Sequence, residues 1–192
     1  MSEVIHLGEE NKMIKLEKIT HNNFQEVLNI KLTDTQNDCV NSSIYCLAEA
    51  YVDIINNEKP PMLFAIYNNG EVIGLVEMGF YELKKDSFLW KEFGDKYTYE
   101  VNTFLIDERY QGKGFGKEAM NKVIEFLRTF PQGEADSITL SYWMTNDAAR
   151  RLYASMGFVE TGDVWDGETF EAWDTERADL ENAEVGARLE LK

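Results

Sequence analysis

The stretch YQGKGFGKEAM, residues 110 to 120, places three glycines and two lysines between two segments of different periodicity. The preceding segment, YTYEVNTFLI (97–106), is rich in aromatic and β-branched residues and predicts a long strand. The following segment predicts a helix, because its apolar residues recur at helical spacing at Met120, Val123, Leu127 and Phe130. Backbone amides at the start of a helix stabilise an anion, and glycine lets that anion approach closely. We therefore expect a phosphate-binding turn.

The spacing of the glycines differs from two common phosphate-binding patterns. A Walker loop requires G-x-x-x-x-G-K-[ST], and residues 112–117 do not fit it. A dinucleotide fingerprint requires G-x-G-x-x-G inside a parallel β-α-β unit, whereas this turn contains G-x-G-x-G and its strand follows a hairpin. The glycines alone leave two interpretations open: a phosphate site of another kind, or a tight turn without a ligand.

The rest of the chain predicts one α/β domain, with a mixed, mostly antiparallel sheet of about seven strands flanked by about four helices. Two strands, 62–67 and 71–80, flank Asn-Asn-Gly, which is a hairpin signal. The other predicted strands are 13–19, 97–106, 137–143, 158–165 and 168–174, and the predicted helices are 21–32, 41–55, 117–130 and 146–156. We expect an N-terminal extension over 1–12, the domain over 13–176 and an acidic, solvated tail or terminal helix over 177–192.

Composition and charge limit the classes of partner. The 192 residues carry a net charge of −16, which argues against a nucleic-acid surface and is compatible with a cationic partner or with solubility alone. No apolar run approaches the about 20 residues of a membrane span, and the first residues lack a signal peptide's apolar segment, so we expect a cytoplasmic protein. Cys39 and Cys46 stand seven apart, too far to bridge on one helix, and we expect both to be reduced. The two histidines, His6 and His21, lack zinc spacing, so we expect no metal site.

Two motifs together carry a resemblance to a known family. Residues 111–116, QGKGFG, match the pattern [RQ]-x-x-G-x-[GA]. Further along, NDAARRLYASMGF (146–158) matches N-x-x-A-x-x-L-Y-x-x-x-G-F. In this order and spacing the motifs resemble the GNAT superfamily of N-acetyltransferases, and the resemblance covers 13–176. It implies the GNAT fold and acetyl-CoA as cosubstrate, bound without a metal. Residues 104–120 and 41–53 are in addition similar to the bacterial spermine/spermidine acetyltransferases, which implies a small amine as acceptor and a possible homodimer.

The resemblance implies a set of cofactor-binding residues. The strand end Phe104, Leu105 and Ile106 is expected to pair with the pantetheine arm through its backbone, and the amide of Leu105 or Ile106 to stabilise the oxyanion. The amides of the glycine turn are expected to hold the pyrophosphate, and its two lysines either add charge or are merely solvated. Asn146 either bonds pantetheine or only caps its helix. The full set is Phe104, Leu105, Ile106, Gln111, Gly112, Lys113, Gly114, Phe115, Gly116, Lys117, Asn146 and Ala149.

The resemblance also implies two catalytic residues. An alkyl ammonium has a pKa of about 10.4 and must lose a proton before its nitrogen can attack a thioester. Glu100 occupies the strand position of the general base, on the face that we expect to carry Asn102, Phe104 and Ile106; a water chain, with Glu100 facing solvent, is the alternative. Tyr153 matches the tyrosine that protonates the leaving thiolate, although its spacing also fits a core tyrosine.

The acceptor site is the least defined part of the sequence. In the helix predicted over 41–55, Glu49 and Asp53 stand four apart, away from the apolar face that we expect to be buried, which comprises Ile44, Leu47, Ala48, Tyr51 and Ile55. These carboxylates would bind ammonium groups, or they form a solvated surface. Weaker candidates are Glu77, Glu82, Tyr142 and Trp143.

Three functions remain open at this point. The first is acetylation of a polyamine. The second is acetylation of an antibiotic amine or of a protein's lysine or N-terminus. The third is a catalytically silent module that binds acyl-CoA.

Overall fold

The computed structural model of the protein describes residues 14–37, 40–56, 61–165 and 183–191. A seven-stranded sheet with the order β1-β2-β3-β4-β5-β7-β6 forms its centre. The strands are β1 (Ile14–Lys18), β2 (Met62–Asn68), β3 (Glu71–Glu82), β4 (Tyr97–Ile106), β5 (Ser137–Trp143), β6 (Val159–Trp165) and β7 (Glu184–Glu190). The helices within the described residues are α1 (Phe24–Leu28), α2 (Asp34–Asn37), α3 (Ser43–Ile55), α4 (Phe88–Phe93), α5 (Phe115–Leu127) and α6 (Asp147–Ser155). None of these helices is long and apolar enough to cross a membrane.

The predicted fold class is confirmed: the sheet is mixed and mostly antiparallel. Only β4 and β5 pair in parallel among the described strands, and β4 and β5 have the predicted bounds. The predicted hairpin between β2 and β3 turns at Asn69 and Gly70, where φ is +50° and +90°. Two successive positive φ angles are typical of a type I′ turn, which asparagine and glycine tolerate best.

Helices cover the sheet on both sides. On one side, which we call the α5 face, α5 and α6 pack on Met78, Tyr99 and Val101 in the larger core. On the other side, the α3 face, α1 and α3 pack on Leu75 and Leu105 in a smaller core. Successive residues of a strand point to opposite faces, so each central strand contributes to both cores.

The predicted buried face of α3 is wrong. Ile44, Tyr51 and Ile55 are 55–65% exposed, whereas the buried residues of α3 are Ser43, Cys46 and Ala50. The physical reason is that α3 is apolar almost all the way round, so periodicity does not select one face. The small side chains lie against the sheet instead. Asp53, half-buried, follows the same side of the helix and is thereby directed toward the sheet.

The predicted tail over 177–192 is also wrong for residues 183–191, the part of it that the structure describes. Residues 184–190 form β7, which lies inside the sheet between β5 and β6. Val185 and Ala187 are buried in the larger core. Arg188, on the opposite face, forms a bidentate ion pair with the buried Asp95 at 2.7 and 2.8 Å and lies 4.8 Å from the ring centre of Phe93. The acidic composition of the segment concealed this alternation.

The remaining differences concern short elements. The helix predicted over 21–32 is confined to α1, and α4 was not predicted, although Ser87 caps its start and Gly94 ends it with a φ of +73°. The strand predicted over 168–174 lies outside the described residues, as do 1–12, His6 and Cys39. The partner of β6 in the structure is β7.

Candidate active site

The strands β4 and β5 separate halfway along their length. Their ladder contains four residue pairs and ends where Val101 lies opposite Leu140. Beyond that point, within the part of the chain that the structure describes, β4 pairs only with β3 and β5 only with β7. The edge of β4 over 102–106 therefore borders a gap, and no strand among the described residues pairs with the backbone groups that face it.

Along this edge, the backbone N–H and C=O groups of every second residue point into the gap. The Asp107 amide donates a hydrogen bond to the Ile73 carbonyl on β3 at 2.9 Å, and a side chain at Gly74 would collide with the carbonyl oxygen of Leu105. Because the backbone groups of a strand alternate in direction, Leu105 faces β3, whereas Phe104 and Ile106 face the gap. Of the two expected oxyanion donors, only the Ile106 amide is directed toward the gap.

A bulge interrupts β4 beside the gap. Val101 pairs with Met78 and Thr103 pairs with Glu77, so Asn102 is an extra residue on β4. A bulge of this kind bends the strand and shifts the alternation of its side chains by one position.

The bulge corrects one expectation about Glu100. Tyr99 lies on the α5 face, and after the bulge Phe104 and Ile106 lie on that face too. Glu100 is therefore on the opposite, α3 face, with Asn102, and does not share a face with Phe104 and Ile106. The extra residue cannot be recognised from β4 alone, because a bulge is defined by the register of two strands.

The glycine turn leads directly from the end of β4 into α5. Gly112 and Gly114 have φ angles of +71° and +86°, which glycine adopts without a steric penalty. Gly114 is the N-cap of α5, and the first bond within the helix runs from the Glu118 amide to the Gly114 carbonyl at 3.3 Å. The amides of the first helical turn have no acceptor within the helix. This geometry suits an anion, and the binding of a phosphate by the turn stays a prediction.

Side chains connect this turn to its neighbours. Gln111 Nε2 donates to the Ile106 carbonyl at 2.7 Å and to Gln36 Oε1 at 2.9 Å, so this side chain fixes the turn at the mouth of the gap. The Lys113 ammonium donates to the Arg109 carbonyl at 2.7 Å, and Lys117 is exposed. Gly116 brings α5 close to α6, since a side chain there would be 3.9 Å from Leu152.

The buried Phe115 also packs beside the glycine turn. Its ring lies edge-on to the ring of Tyr110, with 6.3 Å between the centroids. We infer that Phe115 orients the turn through packing.

Tyr153 lies on α6, on the α5 face. Its ring centre is 5.5 Å from that of Tyr142 and 5.8 Å from that of Phe158, and its side chain is buried. Burial, with a smaller contribution from Tyr142, raises the pKa of the Tyr153 hydroxyl. The phenol is therefore neutral at physiological pH and can donate a proton.

Asn146 caps the helix that carries Tyr153. Its Oδ1 accepts a hydrogen bond from the Ala149 amide at 3.0 Å, and Gly157 ends the helix with a φ of +92°. The structure thus shows the capping role of Asn146, while its proposed bond to pantetheine remains a prediction.

Carboxylates gather on the α3 face. Glu77 is 2% exposed, and its Oε2 has no hydrogen-bond partner among the described residues. Burial raises the pKa of Glu77, and the charges of Glu49 and Asp53 raise it further. The three acidic residues expected from the sequence therefore lie near one another, with Glu77 innermost.

Glu100 faces the same region from β4. Burial raises the pKa of the Glu100 carboxyl, and the charge of Glu184 raises it further. A carboxyl with a raised pKa is better suited to accept a proton near neutral pH than an ordinary glutamate. Glu184 belongs to the segment that was expected to be a tail.

Tyr81 and Asn102 also belong to this region, although the sequence did not indicate them as site residues. The Tyr81 hydroxyl accepts a hydrogen bond from Asn102 Nδ2 at 3.1 Å, and the Tyr81 ring lies over Gly79, where a side chain would collide with it. Burial raises the pKa of Tyr81, as do the charges of Glu100, Glu77 and Asp53. The alternation of Glu77, Gly79 and Tyr81 along β3 was the available signal.

The other candidates have smaller roles. Glu82 is exposed at the end of β3, and Tyr142 lies in the larger core. Trp143, half-buried at the end of β5, pairs with Glu184. Cys46 is buried with its sulfur 3.5 Å from the Thr103 hydroxyl, and burial raises the pKa of the thiol to about 12, so it is neutral at physiological pH.

A cavity of about 390 Å³ opens on the α3 face beside Leu105. It is bounded by the loop after α1 and by the start of α3, with Lys31, Asp34, Ser42 and Glu108 among its lining residues. Half or more of its lining residues are polar or charged, and Glu49, Asp53, Glu77 and Glu100 are not among them. Within the described residues, no three histidine, cysteine, aspartate or glutamate side chains are grouped as metal ligands would be.

The open β4 edge, the glycine turn and the flanking tyrosine define an acyltransferase of the GNAT type. The model of the acetyltransferase (GNAT) family matches residues 24–158, and the chain belongs to this family of N-acetyltransferases. It is 28% identical over 155 residues to the spermine/spermidine N(1)-acetyltransferase of Bacillus subtilis, which covers 79% of this chain and 91% of that protein.

Solved structures show the same fold. The spermidine N-acetyltransferase of Vibrio cholerae in complex with CoA and spermine superposes with a TM-score of 0.60 at 19% identity, covering 91% of this chain and 93% of the other. The ribosomal-protein-S18-alanine N-acetyltransferase of Escherichia coli superposes with a TM-score of 0.58 at 15% identity, covering 94% and 95%.

Proposed function

We propose that this acetyltransferase transfers an acetyl group from acetyl-CoA to a primary amine of a small polycation, a polyamine such as spermidine or spermine. The observation that carries the proposal is the buried carboxyl of Glu77, which has an oxygen without a hydrogen bond among the described residues and lies near Glu49 and Asp53. A buried acidic group of this kind is stabilised by a bound cation. Relatives of similar sequence named for spermine or spermidine support this acceptor class.

The residues around the gap fit acetyl-CoA. The amides from Gly112 to Lys117 would hold its pyrophosphate, since they surround the start of α5 and two of them belong to glycines with positive φ. The gap-facing backbone groups of Phe104 would pair with the pantetheine arm as an added strand does, while the Ile106 carbonyl is held by Gln111. Acetyl-CoA supplies the acyl group as an activated thioester.

The two catalytic side chains approach from opposite faces of the sheet. On the α3 face, Glu100 would accept the proton that the acceptor ammonium loses, which frees the nitrogen lone pair for attack. The Ile106 amide would stabilise the negative charge that develops on the carbonyl oxygen. On the α5 face, the neutral Tyr153 hydroxyl would give its proton to the departing thiolate.

Acceptor recognition follows from the charges on the α3 face. Glu49, Asp53 and Glu77 would hold an ammonium group of the acceptor that does not react, while Glu100 contacts the one that does. A polyamine carries several ammonium groups on one flexible chain and can satisfy both positions at once.

Release of CoA thiol against a panel of amines tests the proposal. The panel contains spermidine, spermine, putrescine, aminoglycosides, streptothricin and lysine peptides. We expect saturable turnover with spermidine or spermine. Turnover confined to an antibiotic or a peptide would retain the enzyme class and exclude the polyamine. Binding of acetyl-CoA without turnover of any amine would indicate a silent module.

A tyrosine pair provides the matched control. Tyr153→Phe removes the proposed proton donor and should lower kcat by about 100-fold or more, because general acid catalysis contributes a factor of about 10²–10⁴. Tyr142→Phe removes the neighbouring hydroxyl, which is bonded to Glu160 at 2.7 Å, and should leave kcat within about threefold of the wild type. Equal losses in the two variants would contradict the role of Tyr153.

A further inference from the structure

Strand β7 brings a second carboxylate to the point where β4 and β5 separate. Glu184 lies opposite Trp143 on β5, and its Oε2 accepts a hydrogen bond of 2.6 Å from the Ser141 hydroxyl. The bond runs diagonally across the two strands, so it directs the carboxylate of Glu184 back toward the end of the β4–β5 ladder. Ser141 is the first residue of β5 beyond that ladder whose side chain follows Thr139 on the same face.

The register places Glu100 next to this pair. The hydroxyl oxygens of Thr98 and Thr139 are 3.0 Å apart, which shows that these two side chains share a face. Two residues further along each strand stand Glu100 and Ser141, diagonal neighbours on the same, α3 face. Both carboxylates, that of Glu100 and that of Glu184, are therefore at the base of the gap in which the thioester would lie.

The two carboxylates differ in how they are held. Glu184 is fixed by Ser141, whereas the Glu100 carboxylate has no hydrogen bond to any described residue. No salt bridge to either group occurs within the described residues, and Arg188, the cation on the same face of β7, is engaged by Asp95. The acidic groups near Glu100 are Glu184 on β7 and Tyr81 on β3, with Glu77 and Asp53 beyond Tyr81. The arrangement leaves Glu100 free to exchange a proton beside a fixed negative charge.

We propose that Glu184 is a second carboxylate of the catalytic site: with Glu100 it binds the reacting ammonium at the base of the gap, and Glu100 takes the proton that this ammonium loses. The inference rests on the function proposed above. An ammonium has three N–H donors, so it can bond both carboxylates at once. One N–H bond breaks, an O–H bond forms on Glu100, and the nitrogen lone pair attacks the thioester carbonyl. When the C–S bond then breaks, the thiolate takes the proton of Tyr153, and the second N–H proton of the adduct restores Tyr153 through water. The charge of Glu184 favours the protonated form of Glu100, and the proton later leaves to water.

Glu184→Gln tests the proposal through the pH dependence of kcat/KM, measured with the amine that the wild type turns over. Removing the like charge lowers the pKa of Glu100, so the acid limb of the profile should move to lower pH by about half a unit to one unit. On the plateau, kcat/KM should fall at least about tenfold, because a charged contact to the ammonium is lost. Glu190→Gln, at the exposed far end of the same strand, should change neither.

Three further measurements separate the possible outcomes. Ser141→Ala removes only the bond that holds Glu184, and should move the profile part of the way. Glu184→Asp keeps the charge and should retain the wild-type acid limb. A ¹³C NMR titration of labelled glutamate carboxyls, with the Glu100 signal assigned from Glu100→Gln, reports the pKa of Glu100 without any substrate.

The proposal is overturned if Glu184→Gln has the acid limb and plateau of the wild type, or if the Glu100 titration is unchanged in that variant. If Glu184→Gln changes the pKa of Glu100 but leaves kcat/KM unchanged, the catalytic role of Glu184 is also overturned. Failure of the wild type to acetylate any amine would instead refute the proposed function, and the titration would still decide whether Glu184 is coupled to Glu100.

Discussion

The two faces of the sheet differ in chemistry although the same strands build both. On the α5 face, the gap is bordered by packed aromatic rings, with Tyr153 between Tyr142 and Phe158. On the α3 face, the side chains of the same strands include Glu77 and Glu100. An apolar surrounding keeps a phenol neutral, and a crowded acidic surrounding attracts cations and raises the pKa of its carboxyls. The difference separates the proposed proton donor from the proposed proton acceptor by the thickness of one sheet.

The two faces also differ in the burial of the ion pairs that connect their elements. On the α3 face, Arg188 and Asp95 form a bidentate pair in which the side chains are 13% and 3% exposed. On the α5 side, Arg150 bonds Glu160 at 3.0 Å, and these side chains are 40% and 45% exposed. Removing one partner of a buried ion pair leaves an unpaired buried charge and strongly lowers stability, whereas an exposed ion pair contributes little to stability.

The largest effect is therefore expected from the buried pair. Arg188→Met leaves the charge of Asp95 buried without a partner and should lower the free energy of unfolding by about 3–5 kcal/mol. Arg150→Met should lower it by less than about 1 kcal/mol. Urea denaturation followed by circular dichroism measures both. Equal losses in the two variants would show that β7 is not fastened through Arg188.

A smaller effect is expected from the innermost carboxyl. Glu77→Gln should raise KM for spermidine about ten- to a hundredfold, because a charged contact is lost, with Glu82→Gln at the exposed end of the same strand as control.

The same substitution, Glu77→Gln, should raise the stability of the protein although it weakens substrate binding. The pKa of Glu77 is raised in the folded state, so folding favours its protonated form, and the wild type loses stability as pH rises through that pKa. The Gln variant lacks this loss: its Tm should exceed that of the wild type at pH 8, and the difference should close toward pH 4. A variant less stable than the wild type at pH 8 would show that the ionised carboxylate is satisfied within the protein.

The smallest effect is expected in the glycine turn. Gly112 and Gly94 have similar φ angles, +71° and +73°, and at both positions an added methyl group would meet nothing within 4 Å. Replacing either by alanine should cost about 1–2 kcal/mol of stability, because of the left-handed backbone. Only Gly112→Ala should also raise KM for acetyl-CoA, by about three- to tenfold, equivalent to one hydrogen bond. An unchanged KM for acetyl-CoA would place its pyrophosphate elsewhere.

The same division explains how far the sequence alone could lead. The α5 side depends on local signals: β4, β5 and α6 carry their periodicity, capping residue and glycines within short segments, and all three were predicted within a residue or two of their bounds. The α3 side depends on relations between distant segments. The bulge at Asn102 requires the register of β3 against β4, and the position of Glu184 requires the pairing of β7 with β5. The orientation of α3 could not be chosen because most of its circumference is apolar.

The insertion of β7 between β5 and β6 has a consequence for synthesis on the ribosome. When β6 emerges, the strand that joins it to the sheet does not yet exist, because β7 begins only at Glu184. Until then the outer edge of β5 is open, and an open edge is prone to pair with other chains. The nascent protein thus passes through a stage in which its first five strands can fold while β6 is still unpaired. Addition of β7 then completes the sheet and brings Glu184 to Glu100 in the same late step.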